Sequence, residues 1–96
     1  MPLFVVKHQH PAEGCPAGDP QVGPMLAQHV SSANAEKFGL NLHGEAVVRG
    51  AHTLYLILDG ADRQDVDRFM QPFTQFGTVE VLEASSCEEV VKRAAC

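Results

Sequence analysis

The chain is poor in positive charge, and this scarcity limits the partners that it can bind. Seven lysines and arginines stand against twelve aspartates and glutamates, so the formal net charge is −5 with neutral histidines. The only adjacent basic pair is Lys92 and Arg93, whereas a nucleic-acid surface needs many basic side chains that follow the phosphates. We therefore expect no nucleic-acid partner.

Long apolar runs are also missing. A helix that spans a bilayer needs roughly 18 to 20 consecutive apolar residues, and no stretch of the chain approaches that length. The first apolar run, Leu3 to Val6, lacks the basic leader and the ~7 to 15 residue core of a secretory signal. We expect a soluble, cytoplasmic protein that does not associate with a membrane.

Signatures of nucleotide binding and of serine hydrolysis are absent. The glycines at positions 14, 18 and 23 are not followed by the lysine and hydroxyl residue of a phosphate-binding loop, and no GxGxxG follows a strand. Catalytic triads are recognised by geometry and not by spacing, and the serines here are explained as helix caps or turn residues. Both functions are therefore unsupported.

The chain is too short for two domains and has too few cysteines for a disulfide framework. Its 96 residues suffice for one core, and 45% hydrophobic with 20% charged residues is typical of an ordinary globular protein. Three cysteines cannot all pair within one chain. We predict a single domain over residues 1–96, in which Cys15, Cys87 and Cys96 are free thiols or metal ligands.

Hydrophobic periodicity predicts four strands and three helices. Pro72 is expected to loosen the end of the second helix, and Ser85 and Ser86 each precede a glutamate by three residues, which is a capping-box pattern. The order β-α-β-β-α-β is ferredoxin-like: an α+β fold with a four-stranded antiparallel sheet, helices on one face and an extra C-terminal helix. The predicted elements are strands at 3–10, 45–49, 52–58 and 78–82, and helices at 24–38 (interrupted near Ser31 and Ser32), after Asp62, and from Cys87.

The central strands are apolar on both faces, which suggests that both faces of the sheet are covered. Strand three places leucines at 54, 56 and 58 on one face, and Tyr55 and Ile57 on the other. Two helices bury only one face of such a sheet, so the other face would be a large exposed apolar patch. We expect a second copy of the chain to cover it, giving a homodimer through the sheet face.

This element order and burial pattern resemble the dimeric α/β-barrel superfamily, in which two ferredoxin-like protomers pack sheet against sheet. The superfamily includes cofactor-independent monooxygenases, muconolactone-isomerase-like proteins, haem-binding members and small stress-response proteins. The resemblance implies a ligand site between the sheet and its helices. Because one fold carries such varied chemistry, the resemblance does not select a function.

The clearest chemical feature is a group of histidines near strand ends. His8 and His10 alternate along strand one, so they leave the same face, and His43 and Glu45 have the same spacing at the entry to strand two. If strand one is parallel to strand three, and strand two is antiparallel to strand three, these four side chains meet at one end of the sheet, near Cys15. Imidazoles with a carboxylate or thiolate suit divalent zinc, copper, nickel or iron. The alternative is that they are solvated rim residues.

The remaining histidines are interpreted separately. His29 lies on the apolar stripe of the first helix and faces the sheet. It is either a core histidine with one hydrogen bond, or a catalytic base or haem ligand in a cleft beside Asn34, Tyr55 and Phe73. His52 begins strand three and is expected at the opposite end from His10, toward Cys87, where we favour a structural role.

The leading hypothesis is therefore a homodimeric domain that binds a divalent transition metal through His8, His10 and a partner from Cys15, His43 or Glu45. One alternative is a barrel enzyme, or a protein that binds a small ligand or haem between sheet and helices. Another is an interaction module without chemistry. Haem is the less favoured cofactor, and the sequence does not decide whether the protein is an enzyme.

Overall fold

A four-stranded antiparallel sheet carries the fold in the computed structural model, which describes residues 1–96. The order of the strands across the sheet is β2-β3-β1-β4, which places β1 and β3 at the centre. The predicted α+β, ferredoxin-like class is confirmed. The strands are β1 (Leu3–Gln9), β2 (Leu40–Val48), β3 (Thr53–Gly60) and β4 (Thr78–Ala84).

Short helices connect the strands, and their ends are fixed by side-chain caps. The predicted interruption of the first helix is confirmed, because the Ser31 hydroxyl accepts a hydrogen bond from the amide of Asn34 and starts a second helix there. The longest helices have eight residues, so none could cross a bilayer. The helices are α1 (Val22–His29), α2 (Ser32–Lys37), α3 (Arg63–Met70) and α4 (Cys87–Arg93), with 3₁₀ turns at Ala12–Gly14, Pro16–Gly18 and Gln71–Gln75.

Strand direction decides which histidines meet, and here one assumption is wrong. β3 is antiparallel to both β1 and β2, so β1 cannot be parallel to β3 as assumed for the histidine group. Because both are antiparallel to β3, β1 and β2 are parallel to each other. The connection between them passes over one face of the sheet through α1 and α2, as parallel strands require. The end of β1 therefore lies next to the start of β3 and at the same end of the sheet as the end of β2, whereas β2 starts at the opposite end.

The core lies between the sheet and the helices that cover one face. Alternate residues of β1 and β3 are fully buried there, in agreement with the period of two along a strand. Each such side chain contributes about 1.5–3 kcal/mol through the area that it removes from water. The buried core residues are Phe4, Val6, Leu26, Ala35, Leu40, Leu54, Leu56, Leu58, Val66, Phe69, Met70, Phe73 and Val81.

The opposite face of the sheet is not covered within the chain. We call it the outer face, and its exposed apolar side chains are Tyr55 (38% exposed), Ile57 (44%) and Leu82 (47%). Val5 of β1 pairs with both Ile57 and Leu82, so these side chains form one continuous strip across the three strands. Whether a second copy covers this strip remains a prediction.

Candidate metal centre

Three side chains with metal-binding atoms meet where β1 ends and β3 begins. His10 follows β1, His52 precedes β3, and Cys15 lies between the first two 3₁₀ turns. One ligand atom from each residue lies within 4.8 Å of the other two. In a tetrahedral zinc site, bonds of about 2.0–2.3 Å separate the ligand atoms by about 3.3–3.7 Å. A modest inward movement of these side chains would therefore complete a three-ligand shell.

The antiparallel pairing of β1 with β3 places the two histidines side by side. Gln9 pairs with Thr53 at the last step of the ladder. One residue further, the amide of His10 donates a hydrogen bond to the carbonyl of His52 at 3.2 Å. The two imidazoles meet edge to face, with ring centroids 5.2 Å apart. The main chain itself thus fixes the separation of these two ligands.

His52 also has an unusual backbone conformation. Its φ is +50°, in the left-handed region, and Gly50 in the same turn has a φ of +75°. Among residues with a side chain, histidine, asparagine and aspartate enter this region most readily. Backbone held in a sparsely populated conformation often occurs at functional sites. The turn between β2 and β3 therefore holds the His52 imidazole at the end of the sheet.

Cys15 reaches the cluster because helix α1 packs closely against the turn that carries it. The amide of Cys15 donates to the carbonyl of Ala12, and Pro16 begins the next turn. A Cβ at Gly23 would lie 3.1–3.2 Å from the carbonyl oxygens of Ala17 and Pro16, so a glycine permits this approach. As a result Cys15 is half-buried, whereas the other two cysteines are exposed.

A chain of hydrogen bonds determines which nitrogen of His8 carries its proton. His8 Nδ1 lies 3.0 Å from the carbonyl oxygen of Thr78, and because a carbonyl can only accept, Nδ1 donates. Burial lowers the pKa of His8 below its ordinary value; the Thr78 hydrogen bond opposes this effect and the charge of His10 adds to it. The ring is therefore neutral near pH 7, and its Nε2 is an acceptor.

The hydrogen bond to His8 leaves a lone pair on His10 available for a metal. His10 Nδ1 lies 3.3 Å from His8 Nε2 and donates to it, so Nε2 of the neutral His10 ring is unprotonated. Burial lowers the pKa of His10, and repulsion from His52 lowers it further. His10 Nε2 is buried and has no hydrogen-bond partner, which costs about 1–3 kcal/mol. A bound metal ion would satisfy this atom.

His8 therefore lies directly behind the cluster and orients one of its members. Second-shell hydrogen bonds of this kind fix the tautomer and the orientation of histidine ligands. The His8 ring is itself held by an edge contact with Phe73, with centroids 5.1 Å apart. His8 was expected to be a ligand; the structure brings it to the site but directs its Nε2 to His10.

His43 is not brought to the cluster. It follows Leu42, which pairs with Leu58, whereas His10 lies beyond the level of Thr53. Five residues of strand correspond to about 16 Å, so the expected convergence fails. The cause is the direction of the strands: β2 is parallel to β1, and its start lies at the far end of the sheet.

At that far end, His43 contacts a carboxylate. His43 Nε2 donates a hydrogen bond to one carboxylate oxygen of Asp59, and the Asn41 amide donates to the other oxygen at 2.8 Å. The Asn41 hydrogen bond, followed by that from His43, holds the pKa of Asp59 below its ordinary value. The hydrogen bonds among these three side chains link β2 to β3.

The cluster opens into a cavity of about 450 Å³ between α1, the end of β2 and the start of β3. Glu45 lines this cavity from the inward side of β2, where it pairs with Leu56. It therefore lies near the cluster, although it does not belong to the three-ligand group. Arg49 also lines the cavity, and its apolar lining includes Leu26, Ala27, Val30, Val47, Leu54 and Phe73.

His29 occupies a different part of the molecule, and both of its ring nitrogens have protein partners. Nε2 donates to the carbonyl of Phe69 at 2.5 Å, and Nδ1 accepts from the Asn34 amide at 3.1 Å. The ring stacks on Phe69 with centroids 4.8 Å apart. His29 and Asn34 line a second cavity of about 750 Å³. Both ring nitrogens are thus engaged within the protein, and an iron ion could bind either one only by breaking a hydrogen bond.

Tyr55 and Phe73 do not form one cleft with His29. The Phe73 ring is buried on the helix side of the sheet, with its centroid 6.3 Å from that of His29. Tyr55 lies on the outer face, because its position on β3 alternates with the buried leucines. The expected pocket of Asn34, Tyr55 and Phe73 is therefore divided by the sheet.

His52 is the member of the cluster that sequence reasoning misplaced. It was expected near Cys87, but Cys87 begins α4 after the end of β4, and Ala84 there pairs with Leu3 at the start of β1. His52 and Cys87 thus lie at opposite ends of the sheet. The signal that would have placed His52 correctly was the β-α-β-β-α-β order itself, which requires β3 to be antiparallel to β1.

Taken together, the cluster offers two imidazoles and one thiol, a donor set that suits thiophilic transition metals. Three protein ligands leave one position of a tetrahedral shell free for water or another molecule. No protein-family model matches this chain, and no curated protein matches it in sequence.

Proposed function

We propose that this chain is a metal-binding protein that holds a divalent transition metal through His10, Cys15 and His52. The proposal rests on the proximity of the three ligand atoms, within 4.8 Å of one another, together with the buried, unpartnered Nε2 of His10. His8 is a positioning residue, because its hydrogen bond directs the lone pair of His10. His43 and Glu45 are not ligands in this proposal.

Zinc is the metal that we expect. Two imidazoles and one thiolate are ordinary zinc ligands, and zinc accepts three protein ligands with one open position. Copper binds the same donor types, and imidazole also suits nickel and iron. Binding requires neutral imidazoles and a deprotonated thiol, and the burial that lowers the pKa of His10 favours its neutral form at pH 7.

Membership of the dimeric α/β-barrel superfamily and the homodimer itself are also proposals. They are supported by the antiparallel ferredoxin-like sheet and by the exposed apolar strip of the outer face. The metal site does not depend on them, because all three ligands come from one chain.

The direct test is metal content after reconstitution of untagged protein with zinc or cobalt. We expect one equivalent per chain, and with cobalt a thiolate-to-metal charge-transfer band that is lost in Cys15→Ser. Cys87→Ser is the matched control, because that thiol is exposed on α4. His52→Asn should also lose the metal while retaining a side chain that tolerates positive φ. His43→Ala should bind like the wild type.

Two results would contradict the proposal. One is a wild-type protein that binds neither zinc nor cobalt after loading. The other is equal metal binding by Cys15→Ser and Cys87→Ser, which would place the metal away from the cluster.

A further inference from the structure

The cavity beside the cluster has the features of a ligand site, and this inference rests on the proposed metal function. His10, Cys15 and His52 are themselves part of the cavity lining, so a metal bound by them would lie at its wall. Three protein ligands leave a coordination position free. A volume of about 450 Å³ lies within the range of small-molecule sites, roughly 300–1,000 Å³.

The lining near β2 includes apolar side chains that the protein leaves exposed. Val47 and Val48 are 63% and 45% exposed, and both line the cavity. Val47 pairs with the core residue Leu54, so it projects from the helix side of the sheet, yet the protein leaves it largely exposed. Burial of such surface by a ligand is favourable in proportion to the apolar area removed from water.

The charges around the cavity favour a ligand with one negative charge. A divalent metal with one thiolate and two neutral imidazoles has a net charge of about +1 by formal counting. The two ionised side chains of the lining, Glu45 and Arg49, are of opposite sign and cancel formally. An anionic donor atom would therefore neutralise the site and fill the open coordination position.

We infer that the cavity binds a small monoanion with an apolar body, such as a medium-chain carboxylate, with its anionic group on the metal and its apolar body against Val47, Leu54 and Phe73. The cluster and the exposed apolar wall are then two parts of one binding site.

The inference is tested by titrating cobalt-loaded protein with acetate and with hexanoate, and by following the cobalt absorption spectrum and the heat of binding. Hexanoate has four more methylene groups than acetate. Since each fully buried methylene contributes about four-fold in affinity, we expect hexanoate to bind about 10- to 200-fold more tightly. Metal-free protein should bind hexanoate at least about ten-fold more weakly than the cobalt form.

A variant that fills the cavity separates this inference from the metal site. Val47→Trp changes an exposed residue of edge strand β2 and should leave the cobalt spectrum unchanged, while hexanoate affinity falls about ten-fold or more and acetate affinity stays. Val91→Trp is the control, because Val91 is 76% exposed on α4 and does not line the cavity.

The possible failures are distinguishable. If cobalt binds but acetate and hexanoate bind equally, or if both tryptophan variants bind hexanoate alike, the ligand inference is wrong and the metal proposal stands. If neither zinc nor cobalt binds at all, both are wrong.

Discussion

At the scale of single residues, the decisive group is a histidine that does not bind the metal itself. His8 is 2% exposed, and such a buried histidine is usually explained as a core residue with satisfied hydrogen bonds. Here the bond to the Thr78 carbonyl fixes the proton on Nδ1, which leaves Nε2 to accept from His10. A main-chain oxygen at the start of β4 thereby determines that the lone pair of His10 is on Nε2.

This role of His8 predicts an effect on metal affinity that is separate from stability. His8→Leu removes both hydrogen bonds, and loss of a second-shell partner lowers metal affinity by about 10- to 100-fold. Phe73→Leu is the matched control, because it removes the ring that packs on His8 but leaves the His8 hydrogen bonds in place. Zinc competition with a chelator measures the affinities, and thermal unfolding of the metal-free proteins measures stability. Equal affinities for the two variants would show that His8 only fills space.

At the scale of elements, the sequence was sufficient for the helix caps and insufficient for strand β2. Asp62 and Ser86 each accept the hydrogen bond expected of a cap, because capping depends on residues only two or three positions apart. β2 begins at Leu40, five residues before its predicted start. The register shift between Leu42 and Gly44 interrupts the alternation of inward and outward side chains there, so the period of two is hidden.

We expect the stability of the protein to depend on pH through Asp59, which lies at the far end of the β2–β3 pair. Since hydrogen bonds hold the pKa of Asp59 below its ordinary value, its contribution is complete above the unfolded-state pKa of about 3.9 and is lost as the pH falls through the lower folded-state pKa. The contribution is less than about 1 kcal/mol, because the partner His43 is half exposed.

Asp59→Asn should therefore flatten the loss of stability between pH 5 and pH 2, as measured by urea unfolding at several pH values. Asp67→Asn on α3 is the control and should keep the wild-type slope. A wild-type slope in Asp59→Asn would contradict the assignment of the acid sensitivity to this carboxyl.

At the scale of the whole molecule, the outer face is the feature that the chain alone does not explain. Val5, Ile57 and Leu82 form an apolar strip across three strands, and exposed patches of this kind mark interaction surfaces. Both the fold class and this strip followed from sequence, because apolar alternation on both faces of a central strand is a local pattern. The metal cluster was missed, because it joins residues more than 40 positions apart and depends on the antiparallel direction of β1 and β3, which the element order implied but which was assigned wrongly.

The homodimer predicted for this face is tested by light scattering coupled to size-exclusion chromatography. We expect a dimer for the wild type and a monomer for Ile57→Glu, because a charge within the strip would be buried in the dimer without a partner. Val91→Glu, on exposed helix α4, should remain a dimer. A wild-type monomer at all accessible concentrations would contradict the prediction.

The position of the bound metal is located most simply by a crystal structure of zinc-loaded protein with anomalous scattering at the zinc edge. We expect one anomalous peak per chain, bonded to His10 Nε2, to Cys15 Sγ and to a ring nitrogen of His52, with His8 hydrogen-bonded behind His10. A peak beside His43 and Asp59, or no peak at the junction of β1 and β3, would contradict it.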